Sequence, residues 1–379
     1  IKADATQNGD GGKVIVWADD TTRAYGNISA RGGADGGNGG FVETSGHRYL
    51  DVDGIRGVDT RAPRGHAGNW LLDPSDIDIV PGSSDINITN TSGEFSTSAG
   101  YGSSTLSEGT INTQLNSTNV TIRTDGGTNG AGNITATGVS ISYGGGTSLT
   151  LAAYGGSSAI GNITITDSTI NVNGGVTLLA GWNGSSFTSG DVISGTGNIA
   201  ISGSTIQSDG GAVNLWAGNN IALSNSGNIR TLVQGATMDV WAGNDLTLIS
   251  DNSYGGYLGP VGPGVKLYSA GTQTVYAGNQ ILLTAGSTAN SYGGSDYMYG
   301  GSAVIQAAGD QTISAASIKL AAGTAGNDNV AAIIGGGISQ DITVTSSLEL
   351  AGGGGGNGNY AGILATYSSG DQTNNASGA

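Results

Sequence analysis

The sequence has no cysteine, so no disulfide can staple it, and its stability has to come from packing and hydrogen bonds. The same absence fits export, because no thiol is there to be trapped by oxidation. Proline occurs only 5 times and charged residues make up only 11% of the 379 residues. Basic residues are scarce: 12 Lys and Arg stand against 28 Asp and Glu, a net charge of −16. An acidic surface repels phosphate backbones and argues against nucleic-acid binding. No run approaches the ~18 apolar residues of a membrane-spanning helix. Beyond residue 123 the only basic side chains are Arg230, Lys266 and Lys319, widely separated.

Glycine, by contrast, fills 72 positions, which favours frequent tight turns over long helices. There is no Gly-x-y period, so a collagen triple helix is excluded. Ser, Thr and Asn supply the polarity that charge does not. Composition alone resembles low complexity, but one short phrase recurs in register: apolar-x-apolar-x-Ala or Gly. It reads Val14-Ile15-Val16-Trp17-Ala18, Leu149-Thr150-Leu151-Ala152-Ala153, Val213-Asn214-Leu215-Trp216-Ala217 and Met238-Asp239-Val240-Trp241-Ala242. Later copies start at Val265, Ile281, Ile318 and Leu348, with a slipped copy from Val304 to Ala308. Period two means strand, with alternate residues on opposite faces. One such strand cannot bury its apolar row alone, whereas a stack of them can.

A second phrase interleaves with the first: Gly132-Asn133-Ile134-Thr135, Gly161-Asn162-Ile163-Thr164 and Gly197-Asn198-Ile199-Ala200. Each coil therefore has at least two faces, one for each phrase. The expected fold is all-β: a right-handed parallel β-helix, a solenoid, with one short helix candidate near residues 107–116. Ser107 is placed to cap that helix, and Leu106, Ile111 and Leu115 have roughly helical spacing. Three segments follow from composition. Residues 1–80 hold 8 of the Lys and Arg, both His and two turn-rich stretches. Residues 81–148 are rich in Ser, Thr and Asn, and residues 149–379 form a repetitive β-helix with Gly/Tyr-rich loops. Both chain ends read as the interior of a longer protein.

The first segment carries a family resemblance. Asp10-Gly11-Gly12-Lys13-Val14-Ile15-Val16-Trp17-Ala18-Asp19 is followed by Gly26-Asn27-Ile28-Ser29-Ala30-Arg31-Gly32-Gly33 and by Gly39-Gly40-Phe41-Val42-Glu43-Thr44-Ser45-Gly46. Val58-Asp59-Thr60-Arg61-Ala62-Pro63 and Gly68-Asn69-Trp70-Leu71-Leu72-Asp73-Pro74 complete the pattern. This stretch resembles the filamentous-haemagglutinin-like exoproteins of bacterial two-partner secretion systems. The likeness is of repeat style only beyond about residue 150. It implies a parallel β-helix, export through an outer-membrane secretion pore to the surface of a Gram-negative bacterium, and a role in adhesion, biofilm or fibre formation. It carries no catalytic residues to transfer.

The candidate binding residues are aromatic. The fourth position of the phrase holds Trp17, Trp216, Trp241 and Tyr268, opposite the buried first and third positions. Such a column offers flat apolar faces to sugar rings or to another protein. The competing account is that loops cover the rings. Tyr254, Tyr257, Tyr292, Tyr297 and Tyr299 sit in Gly/Ser-rich loops, a composition suited to contact. Ala322 to Val330 resembles a single copy of a calcium-binding nonapeptide, but such sites need tandem copies, so no metal or other cofactor is expected. Acid pairs such as Asp239 with Asp245 have no neighbouring base, and His47 and His66 have no nucleophile partner. The expectation is therefore a non-enzymatic surface protein: a secreted adhesin or extracellular fibre segment that self-associates and meets a host surface or polysaccharide. The alternatives are a homopolymeric filament subunit and a polysaccharide lyase or hydrolase built on the same solenoid.

Overall fold

A computed structural model describes residues 1–19, 21–46, 49–52, 55–73, 76–82, 90–91, 94–95, 104–124, 131–156, 159–225, 229–250, 264–286, 301–355, 357–366 and 372–376. These residues form an all-β parallel β-helix with one α-helix. Parallel crossovers of this kind take the right hand. Contacts divide the chain into two compact units, residues 1–164 with 169–197, and residues 165–168 with 198–379.

In the first unit the coil has three sides. On one side Lys13–Ala18 pairs with Phe41–Gly46, which pairs with Asn69–Asp73. Asn119–Arg123 follows, then Leu149–Tyr154 and Val176–Trp182, all parallel. Register places Val14 on Val42, then Trp70, Val120, Leu149 and Val176, an inward column in which every member is buried. Trp70 keeps its indole N–H satisfied by donating to Thr44 Oγ1 at 3.0 Å. Where coils turn, the backbones come very close. A Cβ on Gly39 would lie 1.7 Å from the Thr60 carbonyl oxygen, which explains why the corner between Arg31 and Gly40 needs so much glycine.

The helix, Glu108–Leu115 (α1), occupies a place where a strand would otherwise stand. Ser107 caps it by accepting from the Thr110 amide at 3.2 Å, as its sequence position suggests. On one side lies the strand Ile55–Asp59, whose Val58 amide donates to the buried Gln114 Oε1 at 2.7 Å. On the other lies Ser140–Tyr143, whose Ser142 amide donates to Asn112 Oδ1 at 2.8 Å while Asn112 Nδ2 donates to the Ser140 carbonyl. The Glu108 carboxylate also accepts from the Ser140 amide, and Ser117 Oγ donates to the Val58 carbonyl at 2.9 Å, so side chains of α1 and its end supply ladder bonds that a strand would have made.

The second unit also has three ladders. Ala212–Ala217, Thr237–Ala242, Gln273–Thr284, Gln311–Ala321 and Gln340–Ala351 pair successively. The last three strands run through a corner and serve two ladders, with register breaks at Ala277/Gln280 and Ala315/Ser317. The third ladder runs Thr205–Gln207, Thr231–Gly235, Val265–Ser269, Ala303–Ala307, Ala331–Gly335 and Ala361–Ala365.

One sequence expectation is corrected here. The apolar-x-apolar-x-Ala phrase does not mark one face. Val213–Ala217 and Met238–Ala242 lie on the first ladder, the copies at Ile281, Ile318 and Leu348 on the second, and those at Val265 and Val304 on the third. Each side needs the same in–out alternation, so the same phrase serves all three. The Gly-Asn-Ile phrase has a separate physical basis. Asn198 Oδ1 accepts from the Asn220 amide, Asn220 Oδ1 from the Asp245 amide, and Asp245 Oδ1 from the Gln280 amide, at 3.1–3.2 Å. The same device in the first unit joins Asp76 to Asn133 and Asn133 to Asn162. The residue before each apolar pair therefore ties its corner to the corner of the next coil.

The interior column that begins Val213, Met238 continues as Gln273, Gln311 and Gln340, all buried. Gln311 Nε2 donates to Gln273 Oε1, and Gln340 Nε2 to Gln311 Oε1, each at 2.8 Å. A buried amide ladder satisfies itself only in this register.

Val213, Leu215, Met238 and Val240 point inward and are buried, while Asn214 and Asp239 face outward and are half-buried. Leu215 sits in the column with Val240, Val275, Ile313 and Ile342. Leu215→Asp would strand a charge there and is expected to cost about 4–5 kcal/mol or more. Thermal or denaturant melting checks this. Wild-type melting of the variant would contradict the register.

Candidate functional site

In the second unit the outward positions of the first ladder make two parallel rows. One runs Asn214, Asp239, Thr274, Thr312, Asp341, and the other Trp216, Trp241, Tyr276, Ser314, Thr343. Flat ladder geometry sets neighbouring side chains of one row about 4.8 Å apart, the spacing of stacked rings. Trp241 and Tyr276 use it: their ring centroids lie 4.0 Å apart at 20° between planes. Trp241 is 36% exposed, and Tyr276 is partly exposed. Trp216, in register with Trp241, is only 8% exposed, and its Nε1 donates to Asp239 Oδ2 at 2.9 Å. The exposed aromatic surface is therefore a pair, Trp241 with Tyr276, flanked by a carboxylate and by threonine hydroxyls.

Sequence reasoning missed Tyr276. Gln273-Thr274-Val275-Tyr276-Ala277 has the second half of the phrase, but glutamine replaces the first apolar residue. The buried glutamine ladder explains that replacement. The repeated Val-aromatic-Ala ending was the available signal.

Neither Trp17 nor Tyr268 is a ladder neighbour of this pair. Trp17 is in the first unit, 55% exposed, with Ser45 as its ladder neighbour. Tyr268 belongs to the third ladder of the second unit, between Gln234 and Gln306, with Lys266 Nζ 5.0 Å from its ring centroid. Tyr254, Tyr257, Tyr292, Tyr297 and Tyr299 lie outside the described residues, as does His47. The first unit also contains an aromatic cluster, centred on the buried Trp182 with Phe187 39% exposed at its outer side. Trp182 stacks on Phe187 at 5.2 Å, Tyr154 meets it edge-on at 6.4 Å, and the Arg123 guanidinium lies 5.5 Å from its ring. Trp182 is 2% exposed, and its Nε1 donates to the Ser186 carbonyl. The loop after Trp182 folds back on it, so this cluster is packing.

Other polar candidates are committed to the coil. Asp245 Oδ1 accepts from Asn279 Nδ2 at 2.8 Å as well as from the Gln280 amide. In the nonapeptide-like segment, Asn327 Oδ1 accepts from the Asn357 amide and Asn329 Oδ1 from the Gly301 amide, both at 2.8 Å. Among the described residues no three His, Asp or Glu side chains cluster as metal ligands.

Asp239 is the titratable group at the aromatic pair. Burial raises its pKa above the ordinary 3.8, and the bond from Trp216 offsets only part of that. Its folded form thus holds a proton more tightly than its unfolded form, so stability falls as pH rises through the raised value. Asp239→Asn removes that penalty while an amide oxygen still accepts from Trp216. The variant is expected to melt above wild type at pH 7, with the difference vanishing below about pH 3.8 where both forms are protonated. Melting curves across pH check it.

No family model matches the chain, and no curated protein matches it.

Proposed function

We propose that this chain is a segment of a secreted bacterial surface adhesin or extracellular fibre that binds glycan and associates with itself. On this reading it is exported through an outer-membrane pore, as the filamentous-haemagglutinin-like resemblance of residues 10–80 implies. Its work is display: a stiff solenoid presents side chains at fixed spacing, with no reaction to run. The parallel β-helix supports this, because stacked ladders hold contact groups rigidly and cost little ordering entropy on binding.

The observation that carries the reading is the exposed Trp241–Tyr276 pair on the outward side of a flat ladder. The outward edges of the stacked pair, and the face of Tyr276 turned toward Ser314, suit the C–H groups of a pyranose ring, and Asp239 and Thr274 beside them can meet hydroxyls. The test is a glycan array followed by titration of the best neutral oligosaccharide, reading tryptophan fluorescence. Trp241→Ala is expected to weaken binding about tenfold, roughly 1.4 kcal/mol, and Tyr276→Ala by a similar amount. Unchanged affinity in the double variant would remove the site.

Self-association rests on charge density: charged residues are only 11% of the sequence, so repulsion between copies is modest. Light scattering is expected to report association that grows with salt, as screening weakens the repulsion of a −16 chain. A strictly monomeric wild type at high salt would leave adhesion by single chains.

A further inference from the structure

The first unit holds a cleft of about 490 Å³ whose charge runs against that of the whole chain. It is lined by Arg31, Arg61, His66, Asn116, Tyr143 and Thr147, with the turn 62–67 along one wall. Among the described residues no carboxylate lines it.

The cleft arises from stacking. Arg31 follows the strand Gly26–Ser29, and Arg61 follows the strand Ile55–Asp59 that pairs with it. The Gly32 amide donates to the Arg61 carbonyl at 3.0 Å, so the two arginines stand at one corner of successive coils. Above them α1 takes the place of a strand, and its C-cap Asn116 faces the notch between the arginine corner and Tyr143.

Asp59 anchors both arginines. Arg61 Nε and Nη2 bind its two oxygens at 2.9 and 2.7 Å, and Arg31 Nε lies 3.7 Å away. Burial alone would raise the Asp59 pKa, but Arg61's hydrogen bonds, with the charges of Arg61 and Arg31, hold it below 3.8. The group is therefore two guanidiniums and one ionised carboxylate, a net positive site. Arg61 remains 57% and Arg31 45% exposed at the side chain. Asp4 accepts from the Arg31 amide and the Ser29 hydroxyl and is not among the described residues that line the cleft. The negative end of α1 is also masked, because Asn116 Nδ2 donates to the Asn112 and Thr113 carbonyls.

We propose that this cleft binds an acidic saccharide, with the guanidiniums of Arg31 and Arg61 taking its carboxylate or sulfate and Tyr143 packing on the sugar ring. An arginine already fixed by one carboxylate is pre-organised to present its remaining donors to an anion. Asn116 and Thr147 line the position where ring hydroxyls would lie. The site is independent of the Trp241–Tyr276 pair and asks for a charged ligand where that pair asks for a neutral one.

The test is calorimetric titration of the whole chain with oligogalacturonate, its methyl ester and a sulfated galactan oligomer. Binding of oligogalacturonate is expected to weaken with salt, to be lost in the methyl ester, and to fall about tenfold or more in Arg61→Gln. Trp241→Ala is expected to leave it unchanged. Preference for the sulfated oligomer would support the site and assign the anion to a sulfate ester. Arg31→Gln serves as a second variant if Arg61→Gln melts early. Equal binding of the methyl ester, binding of inorganic sulfate as tight as that of the oligomers, or wild-type affinity in both arginine variants would overturn the proposal.

Discussion

In-register stacking is the constraint on which the rest of this structure depends. In the coils each strand lies parallel on the strand of the neighbouring coil, so each side chain sits on the side chain at the same position there. A column must then be chemically uniform or change by steps its members can satisfy. Aliphatics stack on aliphatics from Val14 to Val176. Glutamine can enter the core because the next coil supplies glutamine to meet it. Asparagine and aspartate repeat at corners because each carries the acceptor that the next corner's amide needs. Stability without cysteine is thereby spread along the chain, with no single centre.

Stacking also builds both candidate sites. The Trp241–Tyr276 pair exists because the ladder aligns the fourth position of one phrase with that of the next. The basic cleft exists because Arg31 and Arg61 occupy equivalent places on adjacent coils. Neither site needs residues distant in the coil, and each is defined by a row. A protein of this design acquires binding groups by varying outward positions, which carry little of the packing load. Inward positions, where Leu215 or Ile313 stand, admit far less variation.

Much of the fold was legible in the sequence because period two is a strong signal when it recurs. The helix at Glu108–Leu115 was legible through Ser107 and the spacing of Ile111 and Leu115. The assignment of phrases to sides was not legible, since three sides impose one pattern. Tyr276 was hidden because a buried glutamine broke the apolar rule just ahead of it. The cleft was not legible: Arg31 and Arg61 stand in separate parts of the family pattern, and nothing in their order revealed that they would stack or that a helix would open a notch beside them. Its makers, Asn112 and Gln114, look like ordinary surface residues until their amides are seen bonding strands on either side.

That helix has a mechanical consequence. On its side of the coil the backbone-to-backbone ladder is interrupted, and continuity passes through side chains: the Asn112 and Gln114 amides, the Glu108 carboxylate and the Ser117 hydroxyl. Zipper-like opening advances by breaking one backbone bond after the next, with each lost rung exposing its neighbour. At α1 the advancing front meets an element whose own bonds are internal and are not weakened by loss of the adjoining strand. The helix is a firebreak: damage on one flank must start afresh to spread to the other.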